Sequence, residues 1–367
     1  MVLHEREKEM VAAADCNNAG IGRHFNYSRA KFSIKPFHLC SFLKMKKDMV
    51  SVIIVNFNGK HLLKEAIDSV KKSIKRANIN SEIIILDNCS TDESKEFVVN
   101  NYPQVIIVEN KVNLNYSGIN TALPYCNGEY ILFLNNDISM DDDCIKNLIG
   151  EIKKDESVFQ ACPCLINYYD KKLRSAGTWV SRAFYSGHIK SSGKDGIKEI
   201  PYLGVGMVRR EAVDYFGYLF DPDYVIYGED LDLGLRIRLM GKKAVFVPDA
   251  IIYHMHSATM QEVSNAKKSF LLERNLIITF FKNMSAGNVL RFFPYLVLVR
   301  IFVISKDLAL GKFSNSTGRL KAFWWIFSHF NLILKKRKHT QNLRKAKDSF
   351  ILEVFSEKYI FSKKFVV

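Results

Sequence analysis

Four places in this 367-residue sequence hold side chains able to move a proton or bind a charged group. Glu229 and Asp230 stand side by side in YGEDLDLGLRIRLMG. A carboxylate there can act as a general base if a hydroxyl reaches it. Adjacent acids at a helix start can also simply complement the dipole, a contribution of about 0.3–1 kcal/mol. Asn135, Asn136 and Asp137 follow the apolar run ILFL. A carboxylate at a strand end can hold Mg2+ or Mn2+ against a diphosphate, because phosphate and water complete the shell; the plain alternative is a strand-to-helix turn. Asp87 ends IIILD and leads into NCSTD. Its carboxylate can accept the imide N–H of uracil or thymine, or only bond the backbone of its own turn. His254 and His256 follow AVFVPDAIIY. Either can ligate a metal through a ring nitrogen, but no HExxH or other zinc spacing accompanies them.

The surrounding pattern supplies the elements that would position these groups. VSVIIVNF (50–57) reads as a buried strand, and Leu62, Leu63, Ala66, Ile67, Val70 and Ile74 then recur at helical spacing. EIIILD (82–87) is a second strand, after which Asp92 can cap a short helix through Val98. QVIIVE (104–109) is a third strand, Tyr116–Cys126 a further helix, and EYILFLNND (129–137) a fourth strand. Asp141 to Asp143 open another helix, where acids suit the positive end of the dipole. Leu231, Leu235 and Leu239 share one face of a helix that Gly241 can stop. Strands alternating with helices imply an α/β fold with a parallel sheet. Ligands bind outside the C-terminal strand ends of such sheets, which is where Asn56, Asn58, Asp87 and Asp137 fall. No GxGxxG follows the first strand and no GxxxxGK[ST] occurs, which argues against dinucleotide oxidoreductases and P-loop enzymes.

Composition is ordinary for a globular chain, with 48% hydrophobic and 25% charged residues. The net charge is +15, of which residues 261–367 carry +14. A basic C-terminal third beside a near-neutral body suggests an anionic partner. No nucleic-acid-binding module is visible, so nucleic acid is not expected. VLRFFPYLVLVRIFVI (289–304) is strongly apolar but shorter than the ~20 residues a bilayer span needs, and it contains Pro294, Arg291 and Arg300. LKAFWWIFSHFNLILKKRK places Trp324, Trp325 and Phe327 before Lys335, Lys336, Arg337 and Lys338. Bulky apolar residues beside a basic cluster fit helices at an anionic membrane surface; a solvated helical cap is the other reading. Seven irregularly spaced cysteines with no CxxC suggest reduced thiols in the cytosol. Residues 1–48 show no clear period and read as a poorly ordered extension, with Met45 and Met49 as alternative starts.

In order along the chain, VSVIIVNFNG, IIILDNCSTDES, NLNYSGIN, YILFLNNDI, FDPDYVIYGEDLDLGLRIRLMG and the histidine after the last strand resemble the inverting family-2 glycosyltransferases, especially the rhamnosyltransferase-like branch. The resemblance covers roughly residues 49–283. It implies a GT-A fold there, a nucleotide-binding sheet flanked by helices, followed by a basic, amphipathic helical region over 284–367. It assigns Asn56, Asn58, Asp87, Asn113, Gly118, Asn120 and Asn136 to the nucleotide-sugar side. Asp137 and His254 would hold Mg2+ or Mn2+, with His256 as the fallback. Gly204, in YLGVGMVRR, belongs to the acceptor side, and Asp230 is the catalytic base with Glu229 beside it. An Arg-Asn pair of the family matches Arg274 and Asn275 without a fixed role. Asn135 stands where the metal motif usually begins with Asp, and Asn115 replaces a usual Gly, which Asn can do because it tolerates positive φ.

The implied activity is transfer from a dTDP- or UDP-sugar to a saccharide or lipid-linked saccharide, with inversion, at the cytoplasmic face of a membrane. The QxxRW motif of processive synthases is absent, which points to addition of one or a few sugars. The competing readings are a sugar-nucleotide nucleotidyltransferase, whose Gly-rich loop with Arg after the first strand is missing, and a non-catalytic basic binding protein of the same fold. The glycosyltransferase reading requires Asp137 and Asp230 to converge across one cleft.

Overall fold

Val50, Val52 and Ile54 in the first strand, β1 (Lys46–Asn56), point to one face of a sheet, and Ile53 points to the other. This is the period-2 alternation of a strand buried on both sides. The computed structural model describes residues 45–190, 198–255 and 264–358. β1 pairs in parallel with β2 (Asn80–Asp87) and β4 (Gly128–Asn135), and β2 pairs in parallel with β3 (Ile106–Glu109). The crossovers are α1 (Lys60–Ala77) and α2 (Ser94–Asn101). Leu62, Leu63, Ala66, Ile67 and Val70 of α1 are buried against the Val52 face, as their spacing predicts.

Next come β5 (Ile138–Met140), α3 (Cys144–Lys154), β6 (Val158–Asn167), β7 (Leu173–Ser175), β8 (Thr178–Val180), β9 (Ser186–His188), β10 (Lys198–Ile200) and β11 (Gly206–Arg209). They lead into α4 (Arg210–Phe216), α5 (Glu229–Leu239) and β12 (Lys243–His254). The main sheet runs β10-β12-β6-β11-β4-β1-β2-β3, with β5 on β12 and β7 on β6. β11 lies antiparallel to both β4 and β6, while β12 is parallel to β6. β8 and β9 form a separate hairpin.

The helix expected over Tyr116–Cys126 is not an α-helix. Two 3-10 segments, Asn115–Thr121 and Leu123–Tyr125, occupy it. Asn115 enters at φ 51° and Pro124 lacks the N–H an α-helix would use there. The fourth strand ends at Asn135, and Ile138–Met140 turns back as β5, which the sequence reading did not separate. Cys126, Cys144, Cys162 and Cys164 are buried free thiols, whereas Cys89 is disulfide-bonded.

The C-terminal helices are α6 (Asn265–Asn283), α7 (Ala286–Ala309), α8 (Phe313–Ser328), α9 (Phe330–Asn342) and α10 (Asp348–Leu352). α8 lies against α6, and Gly318 lets the backbones meet: a Cβ there would stand 2.2 Å from the Ala266 carbonyl oxygen. Buried charge fastens these helices to the body. Glu273 on α6 pairs with Arg300 of α7 at 2.5 Å and Arg319 of α8 at 2.8 Å, and accepts a bond from Tyr185. Asp307 closes the group on Arg319 at 3.1 Å. Asp221, Asp232, Lys282 and Lys336 form a second buried group that ties α9 to α5 and α6. The basic run Lys335–Lys338 is therefore not wholly a surface cluster: Lys336 is bonded inside, and Arg337 donates to the carbonyls of Phe281 and Met284.

Removing one member of a buried ion group strands the others in low dielectric. Glu273→Ala is expected to lower the unfolding free energy by about 3–5 kcal/mol in urea titrations. Lys64→Ala, which breaks the exposed i,i+4 pair with Asp68, is expected to cost under about 0.5 kcal/mol.

Candidate active site

Sheet register delivers the first half of the site. β5 runs antiparallel to the end of β12 with Ile138 opposite His254, and the Met255 N–H donates to the Asp137 carbonyl at 2.8 Å. Asp137, one residue before β5, thus faces His254, with Oδ1 3.7 Å from Nε2. Asp137 is buried. Burial, helped by the charge of Arg174, pushes the His254 imidazole down to about 4. At neutral pH it is uncharged, with a ring-nitrogen lone pair to offer a cation. No group of three or more His, Cys, Asp or Glu side chains forms a metal cage among the described residues. A cation here would rest on two protein ligands and complete its shell with oxygens from substrate and water, which suits Mg2+ or Mn2+. His256 lies outside the described residues.

The second half arrives on a strained loop. Val225, Tyr227 and Gly228 sit at φ 64°, 72° and 81°. Such backbone costs about 1–3 kcal/mol per non-glycine residue and needs over-determination. Asn275 supplies it, donating through its amide to the carbonyls of Tyr224, Ile226 and Tyr227, while Arg274 donates to that of Asp223. The Arg274–Asn275 pair, left without a role by the sequence, is the clamp that sets the entry into α5. Glu229 and Asp230 occupy the first turn of that helix. Oδ1 of Asp230 accepts from the Leu231 N–H, and Oδ2 lies beside Gly204, where a Cβ would approach to 3.2 Å. Gly204 therefore keeps the space before the carboxylate open.

Burial lifts Asp230 to about 6. It lifts Glu229 much further, with the Asp230 charge adding to the effect. Glu229 Oε2 has no hydrogen-bond partner among the described residues. Environments that drive two neighbouring acids apart assign their roles. Burial thus disfavours the charge on both acids, and on Glu229 more than on Asp230.

Tyr116 joins the halves. Its phenol is pushed up by burial and by the charges of Asp137, Glu229 and Asp230 together, and its hydroxyl donates to Asn135 Oδ1. Tyr202 in turn feels Asp230 and Glu229. Asp137, Glu229 and Asp230 are thus all within electrostatic reach of Tyr116.

Beside them runs an amide relay. Asn136 Nδ2 donates to Asn56 Oδ1 at 2.8 Å, and Asn56 Nδ2 donates to Asp87 Oδ1 at 2.9 Å. Ser90 bonds Asp87 through both its hydroxyl and its N–H. Three of the four acceptor positions of Asp87 are thereby filled, and one on Oδ2 is left. Asn58, at φ 48°, accepts from the Thr91 N–H. Gly59 admits the relay: a Cβ there would fall 1.9 Å from Asn136 Nδ2. Gly118 is packed on Asn88 and Asn110, 2.7 Å from where its Cβ would stand. Asn113 is exposed and accepts from the Asn115 N–H. Asn120 is a tether: its amide bonds the backbone of Ser117, Leu219 and Phe220. Tyr116, Tyr202, Gly59 and Arg174 were not singled out from sequence; the NFNG and NLNYSGIN segments contain two of them, but nothing in their spacing marks them.

The raised folded-state pKa of Asp230 means that the native chain binds this proton more tightly than the unfolded chain does. Stability is then lost as pH rises from about 4 to about 6 and stays lost above. Asp230→Asn lacks this loss. Relative to the native chain it should be about 1–2 kcal/mol more stable at pH 8 than at pH 4, measured by urea unfolding at both values.

Glycosyl transferase family 2 matches residues 51–216. The chain is 25% identical over 227 residues to O-antigen biosynthesis protein RfbC of Myxococcus xanthus, a match covering 57% of this chain and 17% of that protein. It is 26% identical over 200 residues to O-antigen chain rhamnosyltransferase WbaN of Salmonella anatum, covering 51% and 61%. The chain thus spans less than two thirds of the length of either relative. Among solved structures, GalNAc-T7 with UDP, GalNAc and Mn2+ aligns with a TM-score of 0.52 at 18% identity, over 63% of this chain and 47% of that one. S. aureus TarS 1–349 in complex with UDP aligns with a TM-score of 0.50 at 16% identity, over 71% and 75%. These structures share the fold, a helix-flanked GT-A sheet. Residues 51–216 thus resemble glycosyl transferase family 2 in sequence.

Proposed function

We propose that the chain transfers a sugar from a dTDP- or UDP-sugar to a saccharide or lipid-linked saccharide, with inversion at the anomeric carbon. The observation that carries this reading is the meeting of Asp137 and His254 with Glu229 and Asp230 around Tyr116, at the C-terminal strand ends of a family-2 domain. Asn56, Asn58, Asp87 and Asn136 frame the nucleotide, and the remaining acceptor position of Asp87 faces the base. Gly118, Asn113 and Asn120 shape the same wall.

Asp137 and His254 would hold Mg2+ or Mn2+, which would offset the charge on the departing diphosphate. Asp230, ionised near pH 7, takes the proton from the acceptor hydroxyl as that oxygen attacks. Burial and the Asp230 charge disfavour ionisation of Glu229, which limits the negative charge beside the base. Gly204 leaves room for the acceptor. Cys162, within reach of the Asp230 charge, is buried with its thiol pushed up, which unsuits it as a nucleophile and fits a single displacement. An acceptor on a lipid implies a cytoplasmic enzyme, peripheral at an anionic membrane face. The domain boundaries that go with this reading are an extension over 1–48, catalysis over 49–283 and a basic helical region over 284–367.

Asp230→Asn is expected to lower kcat by about 10²–10⁴ while nucleotide affinity changes less than about twofold. Chelation by EDTA should abolish transfer and Mn2+ or Mg2+ restore it. Near-normal turnover by Asp230→Asn would remove it as the base.

A further inference from the structure

We infer that α7, α8 and the start of α9 form one in-plane docking face that inserts its exposed apolar side chains into an anionic bilayer. This deepens the peripheral-membrane reading above and does not depend on glycosyl transfer. α7 is long and apolar enough to cross a membrane, yet only 28% of its most apolar window is buried. Its inner stripe is Phe292, Leu296, Arg300, Val303 and Asp307, at helical spacing. A soluble helix would carry polar residues opposite that stripe. Here Leu290, Leu298, Ile301 and Phe302 are 77%, 65%, 55% and 65% exposed. The same pattern continues on α8, where Trp324 and Phe327 are 70% and 76% exposed. Phe281 bridges the helices, touching Phe293 of α7 and Phe330 of α9.

Charge selects the occupant. From residue 286 to 342 the only acid is Asp307, and it is buried in its pair with Arg319. Every exposed charge on these helices and the turn between the first two is therefore positive: Arg291, Lys306, Lys312, Lys321, Lys335 and Lys338. Apolar tips flanked by lysines match acyl chains below anionic headgroups.

The internal bonds exclude a span. Arg300 pairs with Glu273 and donates to the Ala183 carbonyl, and Tyr295 donates to Glu357. Standing α7 upright in a bilayer would break these bonds and strand buried charge. α7 therefore lies along the body with its outer face in the headgroup boundary. The β8–β9 hairpin under Arg300 leads, through Ser186 and Tyr202, to Asp230.

The test is flotation of the full chain with vesicles of phosphatidylglycerol and phosphatidylcholine in equal parts, with Trp fluorescence as the depth reading. The native chain should float with these vesicles and resist release by high salt. The triple variant Phe302→Ser, Trp324→Ser, Phe327→Ser should partition at least about tenfold more weakly while keeping its melting transition. Lipids brominated near the headgroup should quench the native protein more than lipids brominated near the chain end, and Trp324→Phe should remove most of that quenching. Failure to float, complete release by salt, equal partition of the triple variant, or stronger quenching from the bilayer centre would overturn the inference. So would a native dimer in light scattering that the triple variant converts to monomer, since a second copy would then own the face. None of these readings uses donor or acceptor, so they stand or fall separately from the transfer assay.

Discussion

Three carboxylates gathered around one phenol set the terms for the rest of the molecule. Asp137, Glu229 and Asp230 all act on Tyr116; Asp137 and Glu229 are buried, and Tyr116 and Asp230 are half-buried. Like charges so placed cannot all ionise cheaply. Burial and the Asp230 charge disfavour ionisation of Glu229, and a guanidinium, Arg174, brings its charge to Asp137 and His254. A bound divalent cation with its diphosphate would complete the balance. The same arrangement destabilises the free protein, which is the usual stability–function conflict of a preorganised site.

The fold brings distant segments to this point by sheet register rather than by loop reach. β5 folds back onto the end of β12, so one backbone ladder sets Asp137 against His254. Glu229 and Asp230 come instead on a helix whose entry loop is held in left-handed backbone by the Asn275 amide. The clamp residue sits on α6, and α6 is fixed by buried ion groups to α7, α8 and α9. The C-terminal helices are therefore mechanical support for the loop that leads into Glu229 and Asp230, as well as an outer face.

Much of this was legible in the residues. The runs of Val and Ile gave the parallel strands, and the Leu62–Val70 spacing gave the first crossover, because both patterns report burial directly. The acids at 137 and 229–230 stood out because Asp137 follows a strand end and the pair opens a helix. What was not legible depends on tertiary contact. Tyr116–Cys126 has helical composition, but Pro124 and the entry at Asn115 hold it in 3-10 turns. Gly59 reads as an ordinary turn glycine until Asn136 is seen pressed against it. Lys336 reads as one of four surface cations until Asp221 and Asp223 are found beneath it. The exposed aromatics of α8 were visible as a composition, but not as the outward face of a helix whose other side is locked by charge.

The central claim is that Asp137 with His254, and Asp230, are opposite walls of one donor site. Anomalous diffraction at the manganese edge, from crystals soaked with Mn2+ and a nucleoside diphosphate, tests it most directly. The account predicts a single peak in bonding contact with Asp137 and His254, with diphosphate oxygens in its shell and the Asp230 carboxylate across the cavity, not bound to the metal. A peak ligated by Asp230, or a nucleotide seated away from Asn56 and Asp87, would contradict it.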